Sequence, residues 1–240
     1  VIGPNTIVGE HVHIGDNTKI EANCFLEKWT QLGEDCHVHF GCVIGSAAQD
    51  MKYKGEKSYV VIGDRNEIRE YVTINRATGK DTITKIGSDN IFLTHVHIAH
   101  NCELGSNIII ANMTNIGGHT VIEDRAVIGG MTGIHQFVRI GEGVILTGPS
   151  AVRKDIPPFT NADGNPPVIR GLNTIGLRRT GVSAEVRGHL KQAYRILFDE
   201  AKIVEDALGR IEEELPLGRE IQSVLDFMRS SERGIYRGGV

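Results

Sequence analysis

Bulky apolar residues recur at every sixth position along two long stretches of the chain. The first is Ile2, Val8, Ile14, Ile20, Leu26, Leu32, Val38 and Ile44. The second is Ile86, Phe92, Ile98, Leu104, Ile110, Ile116, Ile122, Ile128, Ile134, Ile140, Leu146 and Val152. With 40% of residues hydrophobic, twelve consecutive hits in one register arise by chance about once in 10^5 trials. A small or β-branched residue stands two places earlier, as at Thr6, Val12, Thr18, Thr84, Thr114, Thr120, Ala126, Thr132 and Ser150. Period six fits neither a 3.6-residue helix nor strand alternation. It fits a triangular solenoid, with six residues to a side and three sides to a coil. One side cannot bury its own apolar residue; coils stacked about 4.8 Å apart bury columns of them.

Glycine often follows the apolar position (Gly15, Gly33, Gly45, Gly63, Gly87, Gly105, Gly129, Gly141). The expectation is a corner there with positive φ, which glycine adopts at least cost. Two interruptions, near residues 46–59 and 76–83, put polar and charged residues at expected core positions and predict ejected loops. The solenoid is expected to span residues 1–160 and to stop at Asp155-Ile-Pro-Pro158, because proline offers the ladder no donor. A Gly-, Asn- and Pro-containing linker over 161–182 follows. From Ser183 the period turns helical, with Ser183 as N-cap and Val186, Leu190, Ala193 and Leu197 on one face. A second helix is predicted from Ile203 to Leu215, and a third carries Ile221, Val224, Leu225 and Met228. Residues 183–240 thus form a small α-helical C-terminal domain.

A net charge of −4 over 240 residues leaves no general nucleic-acid footprint. No apolar stretch reaches membrane-spanning length and no signal peptide is visible. Cys24, Cys36, Cys42 and Cys102 all occupy the small-residue slot, which makes them reduced core fillers and fits a cytoplasmic location. Val1 is already in register, so a further N-terminal coil is expected upstream.

In an 18-residue coil, residue n lies beneath n+18. His100 therefore stacks under Gly118, with Gln136 above, while His97, His119 and His135 flank that column. By contrast, His11, His13, His37 and His39 read as solvated surface residues. A neutral imidazole suits a general base, and a glycine amide can reach a substrate oxyanion unobstructed. His100 with the Gly118 amide thus points to acyl transfer onto a hydroxyl. There is no Gly-x-Ser-x-Gly elbow, so direct transfer is favoured over an acyl-enzyme.

Several stretches occur in the order found in one family: Gln49-Asp-Met-Lys-Tyr53, His97-Ile-Ala-His-Asn-Cys102, Gly117-Gly-His119, Ile128-Gly-Gly-Met-Thr-Gly-Ile-His-Gln-Phe137, Asp155-Ile-Pro-Pro158 and Gly171-Leu-Asn-Thr-Ile-Gly-Leu-Arg-Arg179. On these the whole chain resembles the UDP-N-acetylglucosamine 3-O-acyltransferases, hexapeptide-repeat enzymes that open lipid A biosynthesis. The resemblance implies a mainly β fold, a left-handed parallel β-helix with a helical tail, assembled as a homotrimer with active sites between subunits. It implies His100 as base and the Gly118 amide as oxyanion donor. Asp50, with Gln49 and Lys52, would bind the glucosamine ring. His97, His119, His135, Asn173 and Arg179 would complete the nucleotide-sugar and thioester contacts. No cofactor is implied, since the acyl group arrives on the phosphopantetheine of acyl carrier protein, and no metal is expected. Gly148 would be the acyl-chain ruler, with Thr147 and Ile145 as the other candidates.

Three positions depart from the family pattern: Asn101 where an aspartate often follows the base, Ile175 in place of a glutamate, and Pro166 in place of a histidine. They leave a 3-hydroxyl or a 3-amino acceptor open. On the first C-terminal helix Arg187, Lys191 and Arg195 are spaced i, i+4, i+8, preceded by Arg178 and Arg179. They read as a solvated face or as a docking strip for the acidic carrier protein. Competing readings are the sister N-acyltransferase of the pathway, a γ-type carbonic anhydrase using His95 and His100 as zinc ligands, and an inactive solenoid.

Overall fold

The protein, described here by a computed structural model covering residues 1–201 and 203–238, winds as a left-handed parallel β-helix. Most sides contribute a two-residue strand such as His97–Ile98, Glu103–Leu104 or Ile109–Ile110. The strands stack into three sheets of eight, seven and nine strands. The first face runs from Ile7–Val8 to Ala151–Val152, the second from His13–Ile14 to Arg139–Ile140, and the third begins at Lys19–Ile20. Ile98, Ile116 and Ile134 are direct partners on the first face, and each is nearly or fully buried. The hexad column is therefore the core.

The corners differ from expectation in their chemistry. Of the eight glycines named above, only Gly45 has positive φ. The left-handed conformation falls two residues further on, at Asn17, Asp35, Asp89, Asn101, Asn107, and even at Met113, His119, Met131 and Phe137. Asn and Asp tolerate it best among non-glycine residues. The glycines are required instead by close stacking. A Cβ on Gly15 would lie 2.5 Å from the Gly33 carbonyl carbon, and one on Gly87 would lie 2.5 Å from the Gly105 oxygen.

The loops show as register jumps. Ile14 pairs with Leu32, but Leu32 pairs with Ile62 and Ile62 with Ile86. Residues 47–58 and 76–82 leave the solenoid at those points. Arg76 pins both: its guanidinium donates to the Tyr53 hydroxyl (2.8 Å), the Gly45 carbonyl (2.8 Å) and Glu27 (3.3 Å).

The solenoid does not stop at Asp155–Pro158, and residues 161–182 are not a linker. Ile140 bridges to Ile156, and Leu146 pairs in parallel with Ala162. The prolines are tolerated because the ladder uses the amides of Ile156 and Phe159, not those of Pro157 and Pro158. Strands Thr160–Asp163 and Val168–Leu172 then form an antiparallel hairpin on the third face. A short helix α1 (Thr174–Arg179) follows, capped by Asn173. Helix α2 (Ala184–Arg195) is capped by Ser183 and widens over Ile196–Glu200. Helices α3 (Val204–Glu214) and α4 (Arg219–Arg229) complete a second apolar cluster around Leu190, Leu197, Ile211 and Leu225. The Tyr194 hydroxyl donates to Pro158 O (2.6 Å), and Arg219 pairs with Glu142 (2.9 Å), tying this layer to the solenoid.

Candidate active site

His100 lies at the corner after strand His97–Ile98, where the strand's alternation turns it off the sheet and under the loop 76–82. It is 7% exposed. Its Nδ1 donates to Asn101 Oδ1 at 2.9 Å, taking the tautomer that this acceptor demands. The same oxygen accepts from the Thr78 amide (2.8 Å), and Asn101 Nδ2 donates to Thr78 O (3.1 Å). Asn101 is thus held from three sides and fixes the ring. The position where the family often has aspartate is filled here by an amide that still orients the imidazole.

With Nδ1 committed, Nε2 is the ring's free basic atom, and it lies against Gly118. A Cβ on Gly118 would meet His100 Nε2 at 2.6 Å, so no larger residue fits without moving the ring. The Gly117 amide donates to Ile134 O and the His119 amide to His100 O. Between them, no acceptor among the described residues takes the Gly118 amide.

His97 sits half-buried with Nδ1 hydrogen-bonded to the Thr73 hydroxyl (2.7 Å). Burial, reinforced by His100, lowers its pKa, so it is neutral at pH 7. His119 packs edge-on to His100 (5.3 Å between centroids) and stacks on Phe137. Its pKa is lowered by burial, with His100 adding to the effect and Asp50 opposing it. Gln49, His97, His100, Gly118 and His135 line one open groove of about 530 Å³. Asp50 accepts from the Lys52 amide in the same loop (2.9 Å). Above His97 the outward positions of the first face become small or polar: Asn115, Gly133, Ala151.

Other expected site residues lie elsewhere in this chain. Asn173 is buried; its side chain accepts from Gly176 N (2.8 Å), donates to Gly143 O (2.9 Å), and faces a separate cavity with Arg125, Glu142 and Arg219. Arg178 and Arg179 are exposed on the last turn of α1. Ile145 ends an outward aliphatic column on the third face, Ile91–Ile109–Val127–Ile145, and Thr147 is exposed beside it. The groove expected beside Gly148 is not opened by its missing side chain, because a Cβ there would run into the Gly130 carbonyl of the coil below. Of the basic stripe, Arg187 donates to Val182 O and Arg195 pairs with Glu200 (2.8 Å), while Lys191 is exposed. The four cysteines are buried and unpaired. His37 and His39 depart from their solvated reading: they are stacked on each other among carboxylates, and His39 is buried. Sequence reasoning also passed over Arg76 and Thr78, whose parts depend on loop geometry that no periodicity encodes.

Residues 155–236 match the family model described as "Udp N-acetylglucosamine O-acyltransferase; Domain 2", and residues 11–46 match the bacterial transferase hexapeptide repeats. An acyl-[acyl-carrier-protein]–UDP-N-acetylglucosamine O-acyltransferase of Thermodesulfovibrio yellowstonii is 44% identical over 238 residues, 99% of this chain and 92% of that protein. One from Gloeothece citriformis is 41% identical over 89% of this chain and 77% of its own. Among solved structures, the UDP-N-acetylglucosamine acyltransferase of Bacteroides fragilis superposes with a TM-score of 0.91 at 40% identity, covering 98% of this chain and 95% of that one. The enzyme of Francisella novicida gives 0.93 at 33% identity, covering 98% and 87%. The hexapeptide solenoid, together with these relatives, defines the class as hexapeptide-repeat acyltransferases. Within that class, the chain belongs to the acyl-[acyl-carrier-protein]–UDP-N-acetylglucosamine O-acyltransferase family.

Proposed function

We propose that the protein transfers a 3-hydroxyacyl group from acyl carrier protein to the 3-position of UDP-N-acetylglucosamine, the first step of lipid A biosynthesis. The observation that carries the mechanism is the division of labour in the His100 ring: Nδ1 is held by Asn101 while Nε2 lies against Gly118, close enough that a Cβ there would meet it at 2.6 Å. His100 Nε2 takes the proton of the sugar 3-hydroxyl as its oxygen attacks the thioester carbonyl. The Gly118 amide donates to the oxyanion. When the C–S bond breaks, the imidazolium returns its proton to the departing thiolate, so no bound cofactor is consumed.

Asp50, Gln49 and Lys52 on the ejected loop hold the sugar, with His97, His119 and His135 around it. Asn173 is buried and positions α1 through its bonds to Gly176 N and Gly143 O, whereas Arg179, exposed on α1, reaches such a site only from a neighbouring copy. That need supports a homotrimer in which the aliphatic column ending at Ile145 faces the small-residue column Asn115–Gly133–Ala151 of the next subunit. Such a seam is an apolar slot suited to an acyl chain, with Thr147 and Gly148 at its end. Use of acyl carrier protein and a nucleotide sugar puts the reaction in the cytoplasm on this reading; among the described residues no helix is long and apolar enough to cross a membrane. The test is an acyl-transfer assay with UDP-N-acetylglucosamine and its 3-amino analogue against carrier thioesters of several lengths. Turnover of the hydroxyl sugar that His100→Ala abolishes is the expected result; turnover of the amino sugar alone reassigns the acceptor, and turnover of neither refutes the reading.

A further inference from the structure

A second polar cluster sits on the third face and the corner after it, and none of its residues lines the His100 groove. Glu21 follows strand Lys19–Ile20, His37 opens strand His37–Val38, and Glu67 is its direct partner in the next coil. His39 lies one residue past the strand. The two imidazoles stack with centroids 3.8 Å apart. Glu21 Oε1 is 3.0 Å from His37 Nε2 and 3.4 Å from His39 Nδ1. On the other side, Glu67 is 2.5 Å from His39 Nε2 and 3.8 Å from His37 Nδ1. Glu70, held charged by Arg69 with its pKa lowered to about 2, approaches His39 Nδ1 at 3.8 Å.

A neutral imidazole carries one N–H and one lone pair, and carboxylate oxygens stand near both nitrogens of each ring. With Nε2 protonated on both, His37 donates to Glu21 and His39 to Glu67, but the His39 Nδ1 lone pair then faces Glu21 Oε1 at 3.4 Å and three carboxylates crowd two neutral rings. A divalent cation held by Glu21 Oε1, His37 Nε2 and His39 Nδ1 offsets that negative charge and takes up the lone pairs.

We propose that Glu21, His37 and His39 form a binding site for a divalent transition-metal ion of the zinc class. The three ligand atoms lie within 4.8 Å of one another. In a tetrahedral zinc site with bonds near 2.0–2.1 Å, adjacent ligand atoms are about 3.3 Å apart. The two Glu21–histidine separations already bracket that edge length, and metal entry requires the stacked rings to turn so that their in-plane lone pairs converge on the ion. Glu67 stands behind both rings, hydrogen-bonded to His39 Nε2 and 3.8 Å from His37 Nδ1, placed to take their N–H groups as the usual outer partner of metal-bound histidine does. Two imidazoles and a carboxylate favour zinc-class ions over magnesium or calcium, which take oxygen ligands. Three protein ligands leave a fourth position for water. None of these residues lines the acyltransferase groove; the His37–Glu67 rung lies on the outward column that continues as Ile91–Ile109–Val127–Ile145.

The experiment uses full-length protein stripped with chelator and titrated with zinc chloride by competition against a chromophoric chelator, with cobalt(II) as the spectroscopic probe. The expected result is one tight site per chain, micromolar or better, with the visible bands of tetrahedral or five-coordinate cobalt. His37→Gln/His39→Gln should remove that site, and Glu67→Gln, which keeps all three ligands and is the gentler change, should weaken it about 10–100-fold. Zinc should raise the Tm of the native protein and not that of the double variant. Acyl transfer, measured on the stripped protein, should be alike in native and variant forms. Binding only at millimolar zinc, or an equally tight site retained in the folded double variant, would overturn the proposal. Loss of the tight site in the double variant with no change in Glu67→Gln would overturn the role given to Glu67.

Discussion

Replacing Asn101 by aspartate tests whether His100 is the base, because it changes the charge beside the ring while keeping its geometry. Asp Oδ1 can still accept from His100 Nδ1, now 2.9 Å from the Asn101 oxygen, and from the Thr78 amide at 2.8 Å. The bond from Asn101 Nδ2 to Thr78 O is lost, and the second carboxylate oxygen then opposes that carbonyl across the same 3.1 Å. The new carboxylate sits about 4 Å from the centre of charge of a protonated ring. At an effective dielectric of about 20, that is worth roughly 4 kcal/mol in favour of imidazolium. Desolvating the carboxylate under the 76–82 loop, and its bond from Thr78, which stabilises it already, remove over half of this. A net shift of about one pKa unit remains, or 1.4 kcal/mol. A base with a raised pKa is lost to protonation at higher pH, so the acidic limb of the pH–rate profile for kcat/KM should move up by about one unit. On the plateau above the limb, kcat should hold or rise, since a more basic Nε2 takes the proton more readily. The assay is initial-rate acyl transfer between pH 5 and 9 with native and N101D enzyme, corrected for thiol-ester hydrolysis. An unmoved limb with normal turnover would place the titrating base on another residue and refute the assignment.

Three further outcomes follow from the same geometry. His100→Ala should cut kcat by at least about 10²-fold with little change in Tm, and near-normal turnover would move the role to His97 or His119. Gly148→Met should lower Tm, because its Cβ meets the Gly130 carbonyl, and any gain for shorter chains should come with that loss; a shorter-chain preference at unchanged Tm would show that the side chain finds open groove instead. His97 has a pKa lowered by burial, so the unfolded chain takes up a proton near pH 6.5 that the folded protein refuses. Stability should therefore fall as pH drops from about 6.5 toward the folded value, and His97→Gln should flatten the Tm loss between pH 7.5 and 5; an equal loss in both proteins would contradict the burial argument.

What the sequence could reveal was set by where its period holds. In the second run no residue intervenes between coils, so adding eighteen to His100 lands on Gly118, and the contact exists. Across the first loop the same arithmetic fails. His37 plus eighteen is Gly55, an exposed loop residue, whereas the true partner of His37 is Glu67. An insertion of one loop thus hid a carboxylate lying directly against two histidines, and left them to be read as solvated. Asn101 was legible as the neighbour of His100, but what holds it was not: its partner Thr78 belongs to the second loop, which has no place in the hexad register. The glycines show a different limit. Their periodicity was plain, but a corner and a close approach both select for a missing Cβ, and only coordinates separate the two causes. The period thus reports which residues are stacked, and the loops, which obey no period, decide which stacked residues acquire partners of their own chemistry. Both histidine clusters of this protein are made in that way, His100 by Thr78 through Asn101 and His37 by the coil that resumes after residue 58.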